Sequence, residues 1–313
     1  MDTLIKAVPE HLLSLNWFEL EEARALSIFE ELKVELKSLK KKLNNKRVHQ
    51  ARVVIRRWYS IWEILEADNW QDKRYVKKIG TPLSLINKEL GRVRDLDVNI
   101  DLAEDFQAPL ELLAAWRKKR NKRALAAEKR IKNLSAGKIA KDLAEHLSRR
   151  AYELERLLVP LPEDQESEGP SVSRPFQSPL EEASYHHIDR FLNDCEDEAR
   201  ELASRKLDAE ELHELRLIIK RWRYLLTEFF SVTNLELVRA QQLLGRHHDL
   251  IRLRQAIEKY SQKTEGQGGN TKNSQDCQNR ITLELARLED EITRVKQELP
   301  YGLRPYMVST LIG

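Results

Sequence analysis

Basic side chains recur at helical spacing in two separate parts of this sequence. Each part has three of them, three and four positions apart: His49, Arg52 and Arg56, and then His213, Arg216 and Lys220. Side chains with this spacing lie on one face of a helix. Arginine offers a planar fork of donors that suits phosphate oxygens, lysine a point charge, and histidine a group that titrates near neutrality. The pattern therefore indicates two helices that bind an anion.

The helix that carries the first basic stripe must also pack against a core. In residues 48–65 an apolar face lies opposite the stripe, and it consists of Val54, Ile55, Trp58, Ile61, Trp62 and Leu65. A solvated basic surface is the alternative interpretation of such a helix. A solvated face usually mixes the signs of its charges, whereas residues 37–58 contain nine basic residues and no acid. Like charges along one stripe destabilise a helix unless an anion compensates them.

Two motifs occur twice, in the same order. The segment VHQARVVIRRWYSIWEIL (48–65) resembles LHELRLIIKRWRYLLTEF (212–229), and LGRVRDLDV (90–98) resembles LGRHHDLIR (244–252). Tyr59 stands in the first stripe where the second has Arg223. The repeat indicates an internal duplication, and the blocks lie too far apart for a short-period solenoid, so we expect two related helical halves.

Helical periodicity covers most of the rest of the chain. It predicts helices over 19–43, 48–65, 81–102, 110–134, 136–158, 180–203, 209–230, 235–260 and 276–299, and no strand. Residues 160–179 gather prolines, serines and acids without periodicity, which is typical of a linker. We therefore predict an N-terminal arm (1–18), a first helical half (19–159), this linker and a second helical half (180–313).

The composition agrees with an all-α protein. Charged residues are 34% of the 313, against roughly 25% in ordinary globular proteins, while glycine and proline number only ten each. These values argue against a membrane span, a disulfide scaffold, a disordered chain and a β-sandwich. The two cysteines, Cys195 and Cys277, have no metal-type spacing and favour a reducing compartment, so we expect a cytoplasmic protein. The net charge of +3 predicts no polyanion partner by itself; only the distribution of charge does.

A second basic region lies in the predicted fourth helix. Residues 116–130 hold eight Lys and Arg against one Glu, and Arg120 and Arg123 share one helical stripe. A lysine-rich surface helix explains this region equally well. Basic faces from two halves that meet would form a positive groove for an extended polyanion. Because the tryptophans fall on the apolar faces and not among the arginines, phosphate charge fits better than base stacking as the basis of recognition.

The doubled blocks H-x-x-R-x-x-x-[RK]-R and L-G-x-x-x-D resemble the CHAD family, whose members are histidine-containing α-helical domains that bind inorganic polyphosphate. The resemblance covers roughly residues 19–299. It implies two antiparallel helical bundles related by a pseudo-twofold axis, with a basic central surface or pore. By position it implies a binding set of His49, Arg52, Arg56, Arg57 and Arg94 in the first half and His213, Arg216, Lys220, Arg221 and Arg223 in the second.

Two aspartates and two pairs of adjacent histidines are further candidate residues. We expect Asp95 and Asp249 to orient a facing His or Arg, with an ordinary salt bridge as the alternative. The pairs at 186–187 and 247–248 lack the i,i+4 partner of a helical zinc site, so we expect no metal and no other cofactor. The last helix (276–299) balances bases with acids, so the second half is expected to contribute fewer contacts.

The functional expectation is polyphosphate binding without catalysis, because no activated nucleophile or carboxylate cluster is visible. The resemblance implies association with polyphosphate stores, such as granules, or with an enzyme that handles them. The alternatives are a protein that binds the nucleic-acid backbone, which is less favoured, and a helical scaffold for a phosphate-handling enzyme. No membrane partner is expected.

Overall fold

The computed structural model describes residues 3–5, 17–67, 73–157, 179–267 and 271–300. Within these ranges the chain is helical apart from one pair of short strands, which confirms the predicted all-α class. The predicted linker lies outside the described residues except for its last position, Pro179, and so does most of the predicted arm. The internal duplication and the division into two halves stay predictions.

Nine long helices make up the described part of the chain. They are α1 (Trp17–Lys41), α2 (Asn45–Ala67), α3 (Thr81–Asp105), α4 (Leu110–Lys132), α5 (Ala136–Leu157), α6 (Pro179–Ala203), α7 (Ala209–Phe230), α8 (Leu235–Glu265) and α9 (Lys272–Gln297). A helical turn, Lys73–Tyr75, and a π-helical turn, Val76–Gly80, lead directly into α3, where the sequence predicts no helix before residue 81. These two elements have three and five residues, which are too few to display a 3.6-residue period.

The expectation that the chain has no strand is wrong for two short segments. β1 (Thr3–Ile5) pairs antiparallel with β2 (Val232–Asn234), so residues of the predicted arm are bound to the second half of the chain. Three-residue strands show no readable alternation, and their pairing partner is more than two hundred residues away, so local sequence carries little sign of them.

Polar caps fix where the two basic helices begin. The Asn44 Oδ1 atom accepts a hydrogen bond from the Arg47 backbone N–H (2.9 Å) at the start of α2. At the start of α7, the Asp208 carboxylate accepts from two backbone N–H groups and the Glu211 side chain accepts from the Asp208 N–H, which forms a capping box. Each cap satisfies donors that the first turn leaves free and so sets the register of the stripe that follows.

The two predicted halves share their hydrophobic cores. Helix α2 packs against α7, and α3 packs against α8. Trp58 and Trp222 are both fully buried in the larger core, and Leu102 and Leu253 lie together in the smaller one. Burial of a large apolar side chain contributes about 1.5–3 kcal/mol, so this shared packing holds the basic faces of α2 and α7 close to each other.

The apolar content of the helices lies in these cores. Among the described helices, none combines enough length with enough apolar character to cross a lipid bilayer. Cys195 and Cys277 are buried as free thiols.

Candidate functional site

The basic stripe of α2 lies on the side of the helix away from the core. Ile55 and Trp58 are fully buried, whereas His49 is exposed and Arg52 and Arg56 are half-buried. The helical period predicted this division of faces, and the structure places it as expected. The side chains of the stripe are therefore free to face another element.

That element is α7, with its own stripe. The ammonium group of Lys220 interacts electrostatically with four arginines: Arg56, Arg216, Arg52 and Arg223. Cations of both α2 and α7 therefore lie around this one group. Burial and then these four positive neighbours lower the pKa of Lys220 to about 7. The basic stripes of both predicted halves thus converge on one region.

We call this region the central cation cluster. Each member interacts electrostatically with at least one other member, and the members come from α2, α3, α7 and α8. They are His49, Arg52, Arg56, Arg94, His213, Arg216, Lys220, Arg223, His248 and Arg252, with the carboxylates of Asp95 and Asp249. Six arginines and one lysine of this set supply cationic groups, against two carboxylates. The cluster is therefore strongly positive although the net charge of the whole chain is only +3.

A close approach to α3 positions the Arg52 guanidinium. Its Nη1 atom donates to the Asn87 carbonyl oxygen (2.8 Å) and to Asn87 Oδ1 (3.2 Å). A Cβ atom at Gly91 would lie only 2.7 Å from Nη1, closer than the two atoms can approach without displacing the guanidinium. Arg216 lies against Gly245 at the corresponding place, but a Cβ there would be 3.5 Å from Nε, an ordinary van der Waals contact. Only at Gly91 does the absence of a side chain make room for the motif arginine.

The histidines of the cluster are neutral near pH 7. The rings of His213 and His248 stack with their centroids 4.2 Å apart. Burial, then His213 and Arg216, lower the pKa of His248 to about 4. Burial and neighbouring cations also lower the pKa values of His213 and His49. These rings can donate or accept hydrogen bonds, but without an anion they do not add to the charge.

The two carboxylates each face arginines. Asp95 on α3 accepts a hydrogen bond from the Arg252 Nη2 atom on α8 (3.2 Å), which links the two predicted halves. The pKa of Asp249 is raised by burial, against the opposing effect of Arg216 and Arg252. This placement agrees with an orienting role for both aspartates. It agrees equally with the alternative of an ordinary salt bridge, so the choice between the two stays open.

Four arginines of the predicted set lie outside the electrostatic contacts of the cluster. Arg57 binds Glu228 (2.5 Å) and Glu31 (2.6 Å). Hydrogen bonds to these two carboxylates raise its pKa despite the lowering effect of burial. Because Arg57 and Arg56 are adjacent, they point about 100° apart around α2. Arg57 contacts α7 through Glu228, away from the cations of the cluster, whereas Arg56 acts on Lys220.

The other three arginines have their own surroundings. Arg221 forms an ion pair with Glu63 (3.2 Å) and lies over the Phe191 ring. Arg120 binds Asp97 (2.8 Å) and donates to the Leu43 carbonyl oxygen. Arg123 follows on α4, half-buried. The structure thus brings the two stripes together with Arg94 and Arg223, and it separates Arg57, Arg221, Arg120 and Arg123 from them.

Two residues of the cluster were absent from the predicted set. His248 takes the position that Arg94 has in the first repeat, and Arg252 takes that of Val98. The four-residue spacing from His248 to Arg252 was the available signal, since it places both on one face of α8.

One histidine of each pair contacts another side chain. The His187 ring centroid lies 5.3 Å from that of Phe191, and the buried His247 lies 3.7 Å from a Glu289 carboxylate oxygen. In the described ranges, no three His, Cys, Asp or Glu side chains are arranged to hold a metal ion.

Comparisons with known proteins agree with this architecture. The family model described as the CHAD domain matches residues 23–258. A search of curated proteins found no match. Among solved structures, the crystal structure of the CHAD domain from the plant Ricinus communis is similar with a TM-score of 0.60 and 19% identity, covering 95% of this chain and 96% of that one. PptA from Streptomyces chartreusis gives 0.54 and 12%, over 91% of this chain and 99% of that one. At these identities the likeness shows the fold.

Proposed function

Because this chain belongs to the CHAD domain family, we propose that its central cation cluster binds inorganic polyphosphate. The observation that carries the proposal is the crowding of cations around Lys220. Arg56, Lys220 and Arg223 form no ion pair with any described residue. Like charges held together in a half-buried site destabilise a protein unless an anion neutralises them. A bound chain of phosphates supplies that neutralisation.

The shape of the cluster favours a chain over a single phosphate. Cations recur every three or four residues along α2 and α7, which is about 4.5–6 Å along each helix axis. Phosphates spaced along one chain would meet successive cations of the stripe, and each guanidinium group can donate two hydrogen bonds to phosphate oxygens. Both predicted halves would contribute contacts.

We propose binding without catalysis as the activity of this chain. Asp95 accepts a hydrogen bond from Arg252, and the charges of Arg216 and Arg252 act on Asp249, so both carboxylates lie among arginines. A general base would instead need a carboxylate that is free to accept a proton from water. Association with polyphosphate, or with an enzyme that handles it, is the cellular role that this activity would serve.

Binding to the nucleic-acid backbone is the alternative. Proteins that hold single strands place aromatic rings where bases can stack. In the described structure, Trp58 and Trp222 are fully buried in the core and do not face the cluster. This arrangement favours a ligand recognised by its phosphates alone.

The test is direct binding of the purified chain to long-chain polyphosphate, with RNA and tripolyphosphate as competitors over a salt series. R52E/R56E and R216E/K220E should each lower the affinity by about a hundredfold or more at low salt, because each variant reverses two phosphate contacts. The matched control K259E/K263E changes the net charge equally at two exposed lysines of α8 and should bind like the wild type.

Circular dichroism would verify that the variants remain helical. Polyphosphate affinity that survives both cluster variants would contradict the proposal. Equal affinity for RNA and polyphosphate would favour the nucleic-acid alternative.

A further inference from the structure

We propose that a polyphosphate chain longer than the central cation cluster leaves it in one direction, over the turn between α1 and α2. There it would meet a second binding segment formed by Lys41, Lys42 and Lys46, which we call the turn segment. This inference rests on the proposed function and adds a path and a chain-length dependence to it.

A continuous line of positive charge connects the cluster to the turn segment. From Arg56 the line runs along α2 to Arg52 and then to Arg94, whose charge acts on Arg52 and on the neutral His49 beside them. Arg94 in turn donates a hydrogen bond to the Asn45 side chain, at the first residue of α2. Ten residues separate Arg56 from Lys46, which is about 15 Å along the helix axis. A ligand that follows this line arrives at the turn.

Arginine side chains hold the turn through hydrogen bonds to its backbone carbonyl oxygens. The Arg47 guanidinium donates to the carbonyl oxygens of Ser38 (3.2 Å) and Lys42 (3.3 Å), so its charge closes the turn. Arg120 of α4 donates to the Leu43 carbonyl oxygen from the other side (3.5 Å). With the backbone fixed in this way, the exposed side chains of the turn segment extend from a defined position.

Basic side chains predominate in this region. Lys41, Lys42 and Lys46 are exposed, and residues 37–62 contain no acid at all. The nearby Asp101 accepts a hydrogen bond from Asn45 (3.2 Å). The N-terminus of α2 adds the partial positive charge of its free N–H groups. An anion is therefore attracted at this end of the cluster.

The equivalent turn of the second repeat has the opposite character. In the alignment of the repeats, Glu210 stands where the first repeat has Lys46, and Glu211 stands where it has Arg47. Glu211 also neutralises Arg205 through an ion pair. Acids at the first turn of α7 use the favourable end of the helix dipole themselves and repel a polyanion. The difference between two otherwise similar turns gives the path its direction.

The experiment compares two ligands, tripolyphosphate and a size-fractionated long-chain polyphosphate, on the wild type, the turn variant, a charge-matched control and R52E/R56E. K41E/K42E/K46E should lose about tenfold or more in affinity for the long chain at low salt, and the salt dependence should fall by about one unit of slope for each lysine that contacts phosphate. Its affinity for tripolyphosphate should stay within about twofold, because the short ligand is held in the central cluster. The control K206E/K259E/K263E changes the net charge equally, and Lys206 is the counterpart of Lys42 in the second repeat. It should bind both ligands like the wild type.

The outcomes separate this inference from the proposed function. Unchanged long-chain affinity in K41E/K42E/K46E, or an equal loss in the control, overturns the directional path while R52E/R56E still tests the cluster. If R52E/R56E binds both ligands like the wild type, the proposed function fails, and this inference fails with it. Loss of both ligands in the turn variant, with helical content intact, would also overturn it, since the turn would then be part of the short-ligand site.

Discussion

Lys220 is the residue whose protonation would respond most directly to a bound polyanion. Burial and the charges of Arg56, Arg216, Arg52 and Arg223 lower its pKa to about 7, so near neutral pH the empty cluster holds this lysine only partly charged. Phosphate groups would act in the opposite sense, because a nearby anion favours the ammonium form. Binding of polyphosphate is therefore expected to take up a proton at this residue.

Affinity for long-chain polyphosphate should consequently fall as the pH rises from about 7 to about 9. In this window the bound form holds the Lys220 proton and the free form has lost it, so affinity decreases by up to about tenfold per pH unit. Below about pH 7 the lysine is protonated in both forms and contributes no slope. The measurement is a titration at constant ionic strength. K220R keeps its charge across the window and should flatten the dependence; a K220R profile as steep as that of the wild type would refute Lys220 as its source.

On a single helix, sequence periodicity fixes which face a side chain occupies but not what that face meets. The period placed Trp58 in the core and Arg52 and Arg56 on the opposite side, and the structure agrees. It could not reveal that Glu228, which lies on α7 and is distant in the sequence, would neutralise Arg57. Such a partner depends on how α2 and α7 cross. The one-turn helix at Lys73–Tyr75 was missed for the complementary reason, since a short element has too few residues to show a pattern.

Helices α2 and α7 are joined by the Arg57–Glu228 ion pair, and its removal should cost stability and leave ligand affinity intact. The Glu228 side chain is only 3% exposed, so R57M leaves a buried carboxylate without its partner. We expect the free energy of unfolding to fall by about 3 kcal/mol. R57M/E228M removes both charges and should recover most of the loss, since a buried ion pair replaced by apolar side chains is often close to neutral.

Urea denaturation of both variants, together with polyphosphate binding by the folded proteins, makes the comparison. A strong loss of affinity in R57M/E228M would assign Arg57 to the binding site, as the family resemblance implied.

The overall composition of the molecule conceals how unevenly its charges are distributed. Fifty-four basic and fifty-one acidic residues nearly cancel, yet the central cation cluster has seven cations beside two carboxylates. The repeat in the sequence was sufficient to predict that two basic helices exist. Their convergence depends on cores that both predicted halves share, in which Trp58 and Trp222 lie together, and no local pattern encodes that packing. The molecule therefore keeps a cationic surface that is unfavourable for its own folding.

This conflict predicts that a variant with fewer cations in the cluster is more stable and binds less well. Lys220 has a lower pKa in the folded protein than in the unfolded chain, so its charge opposes folding fully below about pH 7, and the opposition shrinks as the pH rises toward its ordinary value. K220M should raise the free energy of unfolding by about 1–2 kcal/mol near pH 6 in polyphosphate-free, low-salt buffer, and by less near pH 9. K206M, at an exposed lysine, should change stability by less than about 0.5 kcal/mol at either pH. Urea denaturation at the two pH values measures both effects. A K220M protein that is no more stable than the wild type near pH 6 would mean that the cluster is already neutralised within the protein, and the physical case for a bound polyanion would be lost.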